Sequence, residues 1–248
     1  MMDFSTCNKE CDMKIVFTGS ADMTSEKMSA ACRIDDRILL DLPGGALKEM
    51  KRNGQDPLSY DHVLITHMHG DHMLDLPVFI LEKVKTGGKL TVCAEKEIME
   101  DLMTLSRLSF RTSLTPDRLE GHLFRNTKEE FEAAGHQIKR IPVSHGTLPH
   151  CSGYLVRKDG VTAGFTGDTC LCENVFRMAA ASDLLICDCD LVTGNEKHMG
   201  MDDLKKIRKE VPGCRIIASH LKDETRAVLL SEKPEGIEAA EDGMVIEI

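Results

Sequence analysis

Six residues, His67-Met-His69-Gly-Asp71-His72, restrict this chain more than any other feature, because they set four metal-type donors directly behind a compact apolar run, Asp61 to Thr66. That run is bounded by polar residues and has the length of a buried strand. An extended strand sends alternate side chains to opposite faces, so His67 and His69 would point one way and His72 the other. Convergence of all four therefore requires a loop after the strand, and Gly70 is expected to give that loop its backbone freedom. Imidazoles and carboxylates together suit zinc, with manganese or iron as substitutes, since affinity alone does not separate these ions. Four donors in one short loop cannot easily wrap a single ion without strain, so ligands from elsewhere are expected to complete two sites.

Three further candidates each follow an expected strand: His145 comes after Ile141-Pro-Val-Ser, Asp168 after Gly164-Phe-Thr-Gly, and His220 after Ile216-Ile-Ala-Ser. Strand ends on one sheet edge are where α/β proteins gather their chemistry. Taken singly, each has a plainer reading. A histidine beside an apolar strand is more often hydrogen-bonded core, and Gly167-Asp168-Thr169 alone would pass as a turn. Taken with the six-residue loop, those plainer readings require too many coincidences. His62, His122, His136 and His150 lack this setting and are read as structural or exposed.

A chain of 248 residues is long enough for one large α/β domain or two small ones. Strands are expected over 14–20, 30–35 and 37–42, the last two joined as a hairpin by Asp35-Asp36, then over 61–66, 90–93, 138–143, 153–157, 161–166, 184–187, 215–218 and 245–248. Helices are expected over 46–52, 75–85, 95–105 and 173–181, and over 203–210 behind an Asp202 cap. Residues 106–135 show no clear period and are read as loops and a strand covering one side. No linker or repeat is visible, so residues 14–248 are read as a single domain behind a loose leader, 1–13.

With 42% hydrophobic and 29% charged residues, and no apolar run long enough for a bilayer, the expectation is a soluble protein without a membrane partner. The leader carries Asp3, Lys9, Glu10 and Asp12 and lacks the apolar block of a secretory signal. Ten cysteines in such a chain are better read as inert thiols of a reduced, cytoplasmic protein than as disulfides. Cys7-x3-Cys11, Cys170-x-Cys172 and Cys187-x-Cys189 lack zinc-finger spacing. A formal net charge of −10 opposes non-specific attraction to nucleic acid and favours a small-molecule substrate.

The order HxHxDH, then a histidine, an aspartate and a final histidine, resembles the metallo-β-lactamase superfamily over most of the chain. The resemblance implies an α/β fold of the four-layer αββα sandwich type. It also implies that His67, His69 and His145 hold one metal, Asp71, His72 and His220 a second, and Asp168 both. Within that superfamily, Gly167-Asp168-Thr169 through Leu185-Ile-Cys-Asp188, followed by His198-Met-Gly, is similar to the ribonuclease Z and small phosphodiesterase branch. There a histidine ahead of a helix donates a proton and a nearby carboxylate orients it, positions matched by His198 and Asp188. The branch's tRNA-processing members carry a proline-rich arginine-asparagine motif near their start, where this chain has Ala21-Asp-Met-Thr-Ser-Glu26-Lys27. With the acidic balance, that departure disfavours tRNA as partner.

The expected reaction is hydrolysis of a small phosphodiester by a hydroxide shared between two divalent metals, with zinc as the expected ion and manganese or iron as substitutes. Asp71 would accept a hydrogen bond from the nucleophile and His198 would protonate the leaving oxygen. The alternatives are hydrolysis of a carboxylic ester, thioester or lactone at the same centre, tRNA 3′-end cleavage, or a metal-binding module without turnover. A homodimer is compatible with the resemblance.

Overall fold

Alternation of side chains between two environments explains most of the chain. In β1 (Lys14–Gly19), Ile15 and Phe17 enter one core while Lys14 and Thr18 face away from it. A computed structural model describes residues 13–248. The expected leader, with Cys7 and Cys11, lies outside the described residues except for Met13, which is buried and exchanges backbone hydrogen bonds with Ile248. Met13 thus packs with the domain.

Two seven-stranded sheets lie face to face. The first contains β1, β2 (Ala31–Ile34), β3 (Ile38–Leu40), β4 (His62–Leu64), β5 (Leu90–Cys93), β6 (Leu123–Asn126) and, at the opposite edge, β14 (Val245–Glu247). The second contains β7 (Glu130–Ala133), β8 (His136–Pro142), β9 (Ser152–Lys158), β10 (Val161–Phe165), β11 (Leu184–Asp188), β12 (Arg215–Ser219) and β13 (Ile237–Ala239). Between the sheets, Phe17, Ile34, Leu64, Tyr154, Phe165 and Ile217 belong to one buried apolar layer. Outside the first sheet, α1 (Ala46–Arg52), α3 (Leu76–Thr86) and α4 (Lys96–Ser109) cover a second layer around Leu39, Val63, Phe79 and Val92. Outside the other sheet, α6 (Glu173–Ala180), α7 (Met201–Glu210) and α8 (Asp223–Glu232) cover a third around Leu185, Ile216 and Leu204. This is the four-layer αββα sandwich. No helix among the described residues is long and apolar enough to cross a membrane.

Four expectations need correction. The segment 106–135 holds the end of α4, the short α5 (Pro116–Leu119), and both β6 and β7, and so carries the chain from one sheet to the other. These are sheet-edge strands whose side chains are largely exposed, and for that reason their sequence shows no apolar alternation. Helix α8 and strand β13 had no expected counterpart: α8 buries Thr225, Arg226 and Leu229, a mixed face without an apolar stripe. Asp202 does not cap α7. Its carboxylate accepts from the Gly194 amide, while Asp203 accepts from the amide of Gly200, the residue at the cap.

The hairpin turn works as expected and does more besides. Asp35 and Asp36 both take positive φ (46° and 54°), the backbone that tight hairpins need. Asp35 then reaches across to the second sheet. Its Oδ2 lies 2.9 Å from His136 Nε2 and 2.7 Å from Lys158 Nζ, and its Oδ1 accepts from the Lys14 amide at 2.7 Å. Burial pushes the Asp35 carboxyl up, but Lys158, the Lys14 amide and His136 outweigh it and hold it below the ordinary aspartate range. Such a group adds stability above its unfolded pKa and loses it as pH falls through the lower, folded value. Asp35→Asn is therefore expected to lower unfolding free energy by about 1–3 kcal/mol at neutral pH, with the deficit shrinking in acid. Urea denaturation at pH 7 and pH 3 reads this, and an equal deficit at both would rule out the ionic clamp.

Candidate metal centre

The parallel strands of both sheets end at one rim, and the polar residues follow those ends. Asp41 comes after β3, His67 after β4, His145 after β8, Asp168 after β10, Asp188 closes β11 and His220 comes after β12. The six-residue motif turns by a device other than a flexible loop. Residues 65–69 run on from β4, and α2 (Gly70–Met73) then forms a single helical turn, with the His72 amide bonded to the His69 carbonyl at 3.0 Å. That turn carries Asp71 and His72 back over the strand end. Gly70 is helical rather than left-handed, and a Cβ there would meet only the exposed Leu74 side chain, which can move aside, so the turn does not depend on glycine's backbone freedom. Gly167 does need its freedom, with φ of +59° and a Cβ position 3.0 Å from both Thr66 and the Ser152 carbonyl.

All seven metal-type residues expected from the sequence meet at this rim. Donor atoms of His67, His69, His145 and Asp168 lie within 4.8 Å of one another, as do those of Asp71, His72 and His220. Asp168 touches both groups, with Oδ1 3.3 Å from His72 Nε2 and Oδ2 3.3 Å from His220 Nε2 and 3.7 Å from His67 Nε2. His198 enters from the loop before α7, its ring packed edge-on against His145 at 4.6 Å and stacked on His220 at 5.4 Å. Its Nδ1 lies 3.0 Å from Asp188 Oδ2.

The polar atoms are arranged for a cation. His67 Nε2, His72 Nε2 and Asp71 Oδ1 are buried without a hydrogen-bond partner, a costly state in an interior that otherwise pairs its polar groups. The opposite ring nitrogens are held. His72 Nδ1 lies 2.8 Å from Asp41 Oδ2, His145 Nδ1 donates to the Lys197 carbonyl at 2.8 Å, and His67 Nδ1 lies 3.0 Å from Thr66 Oγ1, which donates to Asp41 at 2.8 Å. Fixing Nδ1 in this way leaves the Nε2 lone pair to face the centre. Burial, helped by the neighbouring His72, pushes His67 well below the ordinary histidine value, which keeps it neutral as a ligand must be. Burial also pushes His220 down, but Asp168, Asp71 and Asp188 outweigh it and bring the ring up to about 9. Three carboxylates around buried imidazoles thus call for positive charge, and a divalent ion supplies it without a proton. The donor set fits a divalent metal.

Asp41 and Thr66 were not picked out from the sequence. Asp41 lies inside the run 37–42 read as a strand, which in fact ends at Leu40, so its place just past a strand end and its φ of 57° are visible only in the fold. The other histidines have local partners: His62 with Asp61, His122 with the Gly88 carbonyl, His136 with Asp35, and His150 with Glu95. None of the eight described cysteines is in a disulfide or in a group of metal-type donors. Burial pushes Cys93 up to about 12 and Cys214 up to about 11, so these thiols are poor ligands and nucleophiles.

A family model described as the beta-lactamase superfamily domain matches residues 37–221, well over half of the chain. The chain belongs to that superfamily. The superfamily's fold binds divalent metals and its members are metal-dependent hydrolases, in keeping with the His and Asp cluster found here. Among curated relatives, a ribonuclease Z of Pyrobaculum neutrophilum is 28% identical over 207 residues, covering 70% of this chain and 72% of that protein. A ribonuclease Z of Pyrobaculum aerophilum is 28% identical over 149 residues, 58% of this chain, and the chain spans under half (45%) of that relative's length. Among solved structures, the metallo-beta-lactamase fold protein YhfI from Bacillus subtilis superposes with a TM-score of 0.78 at 19% identity, covering 96% of this chain and all (100%) of that one. A diphosphatase from the PhnP family gives 0.73 at 18% identity, covering 95% and 98%. At these identities the structural likeness is one of fold.

Removing the Asp41 carboxylate frees two ligand rings at once. Asp41→Ala is expected to weaken zinc binding by about 10–100-fold, measured by competition with a chromogenic chelator. Wild-type affinity in that variant would show that Asp41 does not orient the donors.

Proposed function

We propose that this superfamily member is a phosphodiesterase that uses two divalent metals, zinc by preference, with His198 as the proton donor to the leaving group. The observation that carries the reading is the His198–Asp188 pair, 3.0 Å apart and packed against His145 and His220 beside the donor cluster. In this reading His67, His69 and His145 hold one ion, Asp71, His72 and His220 the other, and Asp168 both. The chemistry such ions supply when bound is Lewis acidity and a water that ionises near neutral pH.

The chain's own groups complete the reaction. Asp188 engages Nδ1 of His198, which leaves the Nε2 proton for the departing oxygen. Asp188 is itself fixed by the Thr169 amide at 3.0 Å, so the imidazole is held in one orientation. Burial works against the charged ring, but the hydrogen bond and charge of Asp188 outweigh it and raise His198 above the ordinary histidine value. The acid form therefore persists to higher pH than an exposed histidine would allow. Asp71 has Oδ2 3.4 Å from His220 Nε2 and an unpartnered Oδ1, placed to accept a hydrogen bond from the attacking water.

A proton donor matters most when the leaving group is a poor one, which favours alkyl phosphodiesters over activated carboxylic esters, thioesters and lactones. The ribonuclease Z relatives support phosphodiester chemistry in general, while the net charge of −10 weighs against tRNA as the substrate. Metal-loaded protein offered bis(p-nitrophenyl) phosphate, a cyclic nucleotide, a lactone and a precursor tRNA is expected to turn over the two small diesters. Lactone hydrolysis alone would overturn the proposal in favour of ester chemistry, and no turnover at all would leave a binding module.

His198→Ala is expected to keep wild-type metal content while slowing cleavage of an unactivated diester by about 10²–10⁴-fold and sparing a p-nitrophenyl ester. Equal losses on both substrates would count against proton donation. Because the raised pKa of His198 depends on Asp188, Asp188→Asn should move the alkaline fall of kcat/KM to lower pH. An unmoved limb would detach that fall from His198.

A further inference from the structure

A second cavity, of about 450 Å³, opens on the outer face of the first sheet between β1, β2 and α1, on the side away from the sandwich interior. Strand alternation builds it. Ile15, Phe17, Cys32 and Ile34 face inward, which turns Lys14, Thr18 and Arg33 toward the cavity. Arg33 is only 6% exposed. Its Nη1 donates to the Tyr60 hydroxyl at 3.2 Å, and that hydroxyl donates onward to Asp36 at 3.1 Å. Its Nε is buried without a partner, and among the described residues Nη2 makes no hydrogen bond and no carboxylate forms an ion pair with the guanidinium.

A guanidinium cannot shed its proton to escape burial, so Arg33 is a desolvated cation with one neutral acceptor. Arg226 shows what this fold does with an arginine needed only for structure. It is equally buried at 6% and its Nε is likewise unpartnered, yet its Nη1 bonds the Ala240 carbonyl and the Glu241 carboxylate and its Nη2 the Ser20 hydroxyl, so its charge is paired.

We infer that the cavity is an anion site, in which a small molecule bearing a phosphate or carboxylate group sets an oxygen on Arg33, with the Lys14 ammonium at the rim. Asp36, Glu49 and Asp242 also line the cavity, but each is already engaged: Asp36 by Tyr60, Glu49 by Arg52 and Asn53, and Asp242 by Ser20 and the Met28 amide. Their charge restricts the ligand to one of low net charge, and their spare lone pairs favour one that also carries hydroxyl or amino groups. The site involves none of the residues of the candidate metal centre and is independent of the reaction proposed there.

The test is thermal melting of the metal-loaded protein against inorganic phosphate and, separately, acetate, in wild type, Arg33→Met and Arg33→Lys. Binding is expected to raise the wild-type melting temperature by about 3–6 °C at roughly ten times the dissociation constant. Arg33→Met should lose that rise while melting no lower than wild type in anion-free buffer, because it removes an uncompensated charge. Should Arg33→Met not fold, Arg33→Lys, which keeps the charge but loses the planar fork, should show a reduced rise. A larger rise with phosphate identifies a phosphate ligand, and a larger rise with acetate a carboxylate. No rise in wild type, or a rise of wild-type size in the variants, would place any anion elsewhere and overturn the inference. Diester turnover, followed alongside, is expected to be unchanged in Arg33→Met, so the two proposals fail separately.

Discussion

Asp168 is the point at which the two halves of the molecule depend on each other. It follows strand β10 of the second sheet, is almost fully buried, and stands within ion-pair distance of His67 and His72 from the first sheet and His220 from its own. A carboxylate in that position is tolerable only among positive or hydrogen-bonding partners, and the partners are imidazoles with orphaned nitrogens. The energetic problem and the functional opportunity have the same origin: too much unpaired polarity in one dry place, which a cation relieves. Burial that would be destabilising in an empty fold becomes preorganisation once positive charge is present.

Around this centre a second ring of groups fixes the first. Asp41 serves His72 directly and His67 through Thr66, while the Lys197 carbonyl serves His145 and Asp188 serves His198. Three of these four contacts reach across long stretches of chain. The site is therefore stiff because the sandwich is stiff, and its geometry follows from the packing of two sheets rather than from any single loop. His198 shares with His72 an Nδ1 held by a carboxylate, and differs in being partly exposed where His72 is buried, which leaves its Nε2 open to the rim.

The outer face of the first sheet presents a contrast. There Arg33 is buried with less compensation than Arg226 receives in α8. Cavities also occur where no chemistry is evident: a void lined by His72, Asp168 and His220 holds only about 40 Å³, whereas about 260 Å³ lies among α3, α4, α5 and β6, lined by Ile80, Met103, Leu114 and Leu119 together with Arg107, Glu120 and Arg125. Four of the buried side-chain polar atoms without a partner among the described residues belong to the donor cluster, on His67, Asp71, His72 and His220, and the others to arginines.

Much of the centre was legible in the sequence because its residues sit where local pattern is strongest, one or two positions past apolar strands. His67, His145, Asp168 and His220 could each be picked out that way, and the hairpin at Asp35-Asp36 announced itself by its turn residues. Edge strands β6 and β7 and helix α8 left no such trace, since exposed or mixed faces carry no period. What the sequence by itself determined was the set of donors and the strand ends that carry them. Packing settled that α2 turns Asp71 and His72 inward, that Asp41 serves two rings at once, and that Arg33 has no ion-pair partner among the described residues. Hydrogen-bond partners and desolvation depend on which strands become neighbours, and that is a property of the packed sheets, not of local sequence.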